Sequence, residues 1–295
     1  MTWTRLIRFI AVETKRIHLG QPVDPNLDVG LAYHKKNTIK AHEIIGSALD
    51  PNAKVTTKVL TVGTLLEPLE REEVKLVRCL GLNYADHAVR LIFLPPLETA
   101  KADFVPVASL IAPGAPIVIP YVAQPVQEHI PDYEVELTIV IGKTAKDVPE
   151  SEALDYVLGY TVGNDISFRK HQMTTSQWTF SKSFDDTTPF GPVIVNAKAI
   201  PDPQNLPLKT ILNGKVLQDG STRDQIFNVK QTIAFLSQGT TLTPGTIIMT
   251  GTPAGVGFVR KPTVYLKDGD IISVYIGGGI GSLINPVIEE PKARL

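Results

Sequence analysis

The run Asp132-Tyr133-Glu134-Val135-Glu136-Leu137 sets two carboxylates two residues apart. Side chains alternate along a strand, so Glu134 and Glu136 share one face while Val135, Leu137, Ile139 and Ile141 make an apolar one. Neighbouring carboxylates repel unless a cation lies between them, and hard oxygen donors suit Mg²⁺, Mn²⁺ or Ca²⁺. A solvated strand face is the alternative. Asp165, in Gly163-Asn164-Asp165-Ile166-Ser167 at the end of an apolar run, offers a third ligand or a cap for the next segment. Lys182, among Ser181, Ser183 and Phe184, either faces a pocket and holds an oxyanion or lies on the surface. The run from Thr250 to Gly257, Thr-Gly-Thr-Pro-Ala-Gly-Val-Gly, would turn backbone N–H groups toward an anion, but it lacks the Lys-Ser/Thr of a P-loop and the spacing of a dinucleotide fingerprint. His87, in Asn83-Tyr84-Ala85-Asp86-His87, is a candidate general base or a structural histidine.

Short strands must position these groups. Apolar runs at 6–12, 55–62, 74–80, 117–119, 135–141, 159–164, 193–196, 209–212, 216–218, 247–250, 263–266, 271–276 and 281–286 read as strands, with Asn213-Gly214 as a type I′ hairpin turn. Residues 37–45, 84–90 (capped by Asn83), 151–158 and 228–237 read as helices, 20–31 as turn-rich, and 91–107 as loop. Many strands and few helices predict a β-rich α+β fold rather than a doubly wound one. The 22 glycines and 23 prolines are spread along the chain, as such a turn-rich fold requires. A net charge of −1 over 295 residues gives no basic face for nucleic acid, and the apolar runs are too short to cross a bilayer. The first residues lack a secretory pattern, and the single Cys79, in an apolar run, excludes an internal disulfide. Cytoplasmic location and an inert buried thiol are expected.

Together the motifs are far more specific than singly. Cys79-Leu-Gly-Leu-Asn-Tyr-Ala-Asp-His87, Asp132-Tyr-Glu-Val-Glu-Leu137, Gly159-Tyr-Thr-Val-Gly-Asn-Asp-Ile-Ser167, Lys182-Ser-Phe-Asp185 and the Thr250–Gly257 run resemble, in this order, the fumarylacetoacetate hydrolase family over about residues 74–290. The resemblance implies a mixed β-roll catalytic domain over 73–295, a small N-terminal α/β module over 1–72, and a homodimer. It implies Mg²⁺ or Mn²⁺ on Glu134, Glu136 and Asp165, with His87 and Lys182 as catalytic residues. Tyr84, Arg169, Gln172, Gly251 and Thr252 become substrate contacts, and Arg90, where the chain departs from the family, is a further candidate to hold a substrate carboxylate. The substrate would be a 1,3-dicarbonyl or 2-oxo acid, reacting through a metal-stabilised enolate.

The chain departs from that pattern. Relatives with this helix usually carry a glutamate three residues after the histidine; here Arg90 stands there, which weakens His87 as a base. Glu98 or Glu128 could replace the lost partner from a loop. The segment 91–107 lacks the expected glycines, has Val105-Pro106 where a lysine is expected, and offers Leu91, Ile92, Phe93 and Leu94 as an apolar lid. Three functions follow: a C–C bond hydrolase of fumarylacetoacetate or acylpyruvate type; a decarboxylase, isomerase, tautomerase or lyase in a specialised pathway; or an inactive binding protein. The first two divide on Arg90, which predicts impaired ordinary hydrolysis and a specialised substrate.

Overall fold

Val135–Ile141 is buried at every residue, so it needs neighbours on both edges and cover on both faces. A computed structural model, describing residues 3–85 and 100–291, supplies them. The strand pairs antiparallel with Val157–Asn164 on one edge and with Ile247–Met249 on the other. Beyond Ile247–Met249 lies Val77–Gly81, in parallel, and then Lys101–Val105, antiparallel. On the far side Val157–Asn164 pairs with Thr188–Asn196, whose end meets Arg5–Ala11 through Arg5↔Val195 and Leu6↔Ile194. Arg5–Ala11 also pairs with Ile17–Pro22 and Lys54–Leu66, and Lys40–Ile45 lies between those two. A second sheet of five strands runs Lys215–Ser221, Pro207–Leu212, Ile271–Ile276, Gly281–Glu289, Ile117–Ile119. The β-rich α+β expectation holds.

Two cores cover the central strand. Val135, Leu137, Ile139 and Ile141 enter one, with Tyr160, Leu208 and Ile233. Val140 enters the other, with Cys79, Leu158, Ile247 and Met249. The predicted alternation is therefore real, with both faces buried. The helix Val229–Ser237 packs on the first core and starts with a reciprocal capping box between Asn228 and Gln231, as its sequence predicts. Asn213 (φ 49°) and Gly214 (φ 80°) form the predicted hairpin turn.

Other expectations are corrected. Residues 40–45 form a strand rather than a helix, since pairing on both edges suits the β-branched Ile44 and Ile45. Residues 151–158 hold only a 3₁₀ turn, Ala153–Tyr156, before the strand resumes at Val157. The predicted loop 91–107 contains the strand Lys101–Val105, whose edge position tolerates the proline that follows. Residues 263–266 join no strand: Val264 N–H donates to the Gly257 carbonyl and Leu266 N–H to that of Pro131. The turn-rich segment contains the short helix Val29–His34, capped by Asp28.

Candidate active site

Glu136 lies within the central strand and Glu134 just before it, both buried. Two hydrogen bonds lock this entrance to the end of Val157–Asn164. The Glu134 N–H donates to Asn164 Oδ1 (3.0 Å), and the Asp165 N–H donates to the Glu134 carbonyl (3.0 Å). Where the strand ends, Asp165 is thereby delivered beside the two glutamates. Ligand oxygens of Glu134, Glu136 and Asp165 all lie within 4.8 Å of one another. The solvated-face alternative fails, because all three carboxylates are buried.

Lys182 closes the 3₁₀ turn Thr179–Lys182 and is buried. Its ammonium donates to Glu134 Oε2 (2.9 Å) and to Asp165 Oδ2. It is therefore a pocket lysine, not a surface one. Arg169 opens the helix Arg169–Thr174; its Nη2 donates to Glu134 Oε1 (2.6 Å) and its Nη1 to Gln172 Oε1 (2.8 Å). Gly251, at φ 90°, donates its N–H to Glu136 Oε2 (2.7 Å), and Thr252 lines the same cleft. The anion that the glycine-rich run serves is thus a protein carboxylate.

Two buried residues without an assigned role hold this constellation. Asp132 accepts from the N–H groups of Tyr133 (2.9 Å), Gly257 (2.7 Å) and Phe258 (3.0 Å), and from Arg169 Nε (2.9 Å). Gln218 donates to Thr252 Oγ1 (2.8 Å) and the Pro253 carbonyl (2.8 Å), and accepts from the Val135 N–H (3.2 Å) and Thr210 Oγ1 (2.7 Å). Asp132 stands inside the acidic motif, where its position was a signal. Gln218 follows a hairpin turn with no local cue.

The site concentrates buried negative charge. Among the described residues, buried Asp132, Glu134, Glu136 and Asp165 lie with two buried cations, Arg169 and Lys182. Burial accordingly pushes the Glu136 carboxyl well above the usual range, with Asp165 adding repulsion. Burial also pushes Asp165 up to about 6 despite Lys182. Burial alone would push the Lys182 ammonium down, but Asp165 and Glu134 outweigh it and hold the group charged. Among the described residues Asp165 Oδ1 is buried with no hydrogen-bond partner. That oxygen and three converging buried carboxylates fit a divalent hard cation.

The remaining predicted residues divide. Arg169, Gln172, Lys182 and Thr252 line one cleft with Glu134 and Glu136, alongside apolar Leu80, Leu82, Met173, Trp178 and Phe258. Tyr84 is buried and absent from that lining; burial, with Glu136 nearby, raises its hydroxyl pKa. The Asn83 side chain bridges the Phe227 N–H and carbonyl and the Thr250 carbonyl, while residues 86–90 of the helix expected over 84–90 lie outside the described residues. Glu128 lies at the surface, paired with Lys170 (3.1 Å). His87, Arg90, the lid residues 91–94 and Glu98 lie outside the described residues. Cys79 is buried, and burial pushes its thiol pKa up, as expected of an inert cysteine. No described helix is long and apolar enough to cross a membrane.

Comparison with known proteins agrees with this geometry. The family model for the fumarylacetoacetate (FAA) hydrolase C-terminal domain matches residues 76–288. A caffeoylpyruvate hydrolase of Neonothopanus nambi is 55% identical over 98% of this chain and 94% of its own length. A mitochondrial oxaloacetate tautomerase of Xenopus laevis is 37% identical over 90% of this chain and 80% of its own. The crystal structure of a 2-hydroxyhepta-2,4-diene-1,7-dioate isomerase from Mycobacterium marinum is 33% identical, with a TM-score of 0.79 over 98% of this chain and 100% of that one. From the matched domain and these full-length likenesses, the chain belongs to the fumarylacetoacetate hydrolase family of enzymes.

Proposed function

We propose that this chain is a divalent-metal-dependent hydrolase of acylpyruvates, 2,4-dioxo acids that it splits into a carboxylate and pyruvate. The observation that carries the reading is the buried, converging trio Glu134, Glu136 and Asp165, in which Asp165 Oδ1 has no hydrogen-bond partner among the described residues. These residues would hold Mg²⁺ or Mn²⁺, with Ca²⁺ a further fit to the oxygen donors. When bound, such an ion supplies Lewis acidity to substrate oxygens. Arg169, held by Asp132 and Glu134, and Gln172 orient the substrate. Lys182 offers positive charge where an enolate develops. Hydrolysis adds one water across the C–C bond: its oxygen joins the acyl carbon, the electron pair of the broken bond passes to the pyruvate fragment, and that carbon takes a proton. From sequence alone, His87 is the proposed acceptor of the water proton, and Arg90 and Tyr84 are proposed substrate contacts, with Gly251 and Thr252 across the cleft. The 55% likeness to a caffeoylpyruvate hydrolase supports hydrolysis despite Arg90.

The likeness to oxaloacetate tautomerases supports a second reading, in which the same enolate is formed and reprotonated without water attack. Metal-stripped protein, with Mg²⁺ or Mn²⁺ returned, separates them. Pyruvate release from benzoylpyruvate or acetylpyruvate, lost in Glu136→Gln, is expected. Oxaloacetate tautomerisation without pyruvate release would favour the second reading, and full activity in metal-stripped protein would refute the role of the trio. Homodimeric assembly and a cytoplasmic location rest on the family resemblance and on the lone buried Cys79.

A further inference from the structure

The cleft has a second half that the chemistry just described does not use. Leu80, Leu82, Met173, Trp178 and Phe258 line it, and none carries a charge. Trp178 is tied to the catalytic lysine through the backbone. It precedes the turn Thr179–Lys182, and its carbonyl accepts from the Ser181 N–H (2.9 Å) and Ser181 Oγ (2.6 Å). The six-membered ring of its indole is seated against Gly81. A Cβ added there would meet Cζ3 at 2.5 Å and Cε3 at 3.1 Å, so the bare glycine backbone is what admits the ring. Opposite Gly81 in the sheet register stands Lys101, whose ammonium lies 5.0 Å from the Trp178 ring centroid. A half-buried indole fixed by a glycine and a cation, one turn from Lys182, is a rigid planar wall in a reactive cleft.

We propose that Trp178 is a specificity-determining residue, and that the acyl group of the substrate is aromatic, stacking on this indole while the dioxo acid end reaches Lys182 and the three carboxylates. The proposal rests on the acylpyruvate reading and deepens it. An aromatic acyl group matches the wall in shape and gains from offset or edge-to-face ring contact, which an acetyl group cannot make. Gly81 and Lys101 act as positioning residues that hold the ring.

The quantity to measure is the ratio of kcat/KM for benzoylpyruvate to that for acetylpyruvate. Removing a stacked aromatic should lower this ratio about tenfold in Trp178→Ala, while Trp178→Phe keeps it within about threefold. An unchanged ratio in Trp178→Ala, whatever the absolute rates, overturns the proposal. A second measurement is independent of turnover. The chain has two tryptophans, Trp3 and Trp178, so Trp178 is the sole emitter in Trp3→Phe. With Mg²⁺ present, phenylpyruvate should quench that emission saturably and bind about tenfold tighter than pyruvate. Equal affinity, or no quenching, overturns the proposal. If the protein cleaves neither dioxo acid yet prefers phenylpyruvate, the hydrolase reading falls and the aromatic subsite stands.

Discussion

Replacing Asp132 by asparagine tests whether the arginine beside the carboxylates is held or merely adjacent. Oδ1 of Asp132 accepts from Tyr133 and Gly257, and Oδ2 accepts from Phe258 and from Arg169 Nε. Asparagine preserves one oxygen but presents an amide N–H₂ to the other two donors. Each buried donor left without an acceptor costs about 1–3 kcal/mol. Two effects hold the sum down. Arg169 keeps its bond to Glu134, so its charge is not orphaned and the ~3–5 kcal/mol scale for breaking a buried ion pair is an upper bound. Burial already raises the Asp132 carboxyl pKa, with Arg169 opposing, so a neutral side chain relieves part of the desolvation. A net loss of about 2–3 kcal/mol follows, or a Tm lower by roughly 3–5 °C for a chain of this size. Asp132→Ala, which leaves all four donors without an acceptor, should lose more. Urea unfolding at pH 7 measures both. A loss below about 0.5 kcal/mol in Asp132→Asn, or an alanine variant more stable than the asparagine one, would refute the reasoning.

Two further outcomes are expected. The folded-state pKa of Asp165 is raised to about 6, so the folded protein favours the protonated acid. The resulting stability is complete below pH ~4 and is lost as pH rises through ~6, about 3 kcal/mol in all. In EDTA, wild type should therefore lose that much relative to Asp165→Asn between pH 4 and 7, and Mg²⁺ should restore it at pH 7; a relative gain across this window would contradict the assignment. Gly251→Ala forces a side chain onto φ 90° and sets its Cβ 2.8 Å from that of Asn83. Stability should fall by at least about 2 kcal/mol, and kcat should fall with it as the N–H leaves Glu136; a variant as stable and active as wild type would remove Gly251 from the site.

What could be read from the sequence follows the range of the forces involved. Glu134 and Glu136 declare themselves because strand alternation is local, and Asp165 because it ends an apolar run. Local patterning placed the central strand, the Asn213-Gly214 hairpin and the capped helix at 229–237. It failed at 40–45, where pairing with strands on both edges decides the conformation, and at 151–158, where a 3₁₀ turn gives way to a strand paired with Val135–Ile141. Gln218 was invisible for the same reason: its four bonds reach Val135, Thr210, Thr252 and Pro253, and only the folded chain brings these together. Asn83 shows the converse. A residue read locally as a cap also reaches Phe227 and Thr250, 144 and 167 residues away.

These long reaches set the order in which the molecule can assemble. The Glu134–Asn164 lock closes a loop of 30 residues, whereas the Gly251–Glu136 bond closes one of 115. Contacts of such sequence separation carry large closure entropy and favour slow folding. The three carboxylates all belong to the hairpin closed by the shorter loop, so they converge when that hairpin forms, before the bond from Gly251 is made. An ion that needs all three oxygens therefore finds its ligands on one local unit. It should hasten refolding as well as slow unfolding, to the extent that this hairpin is formed in the transition state.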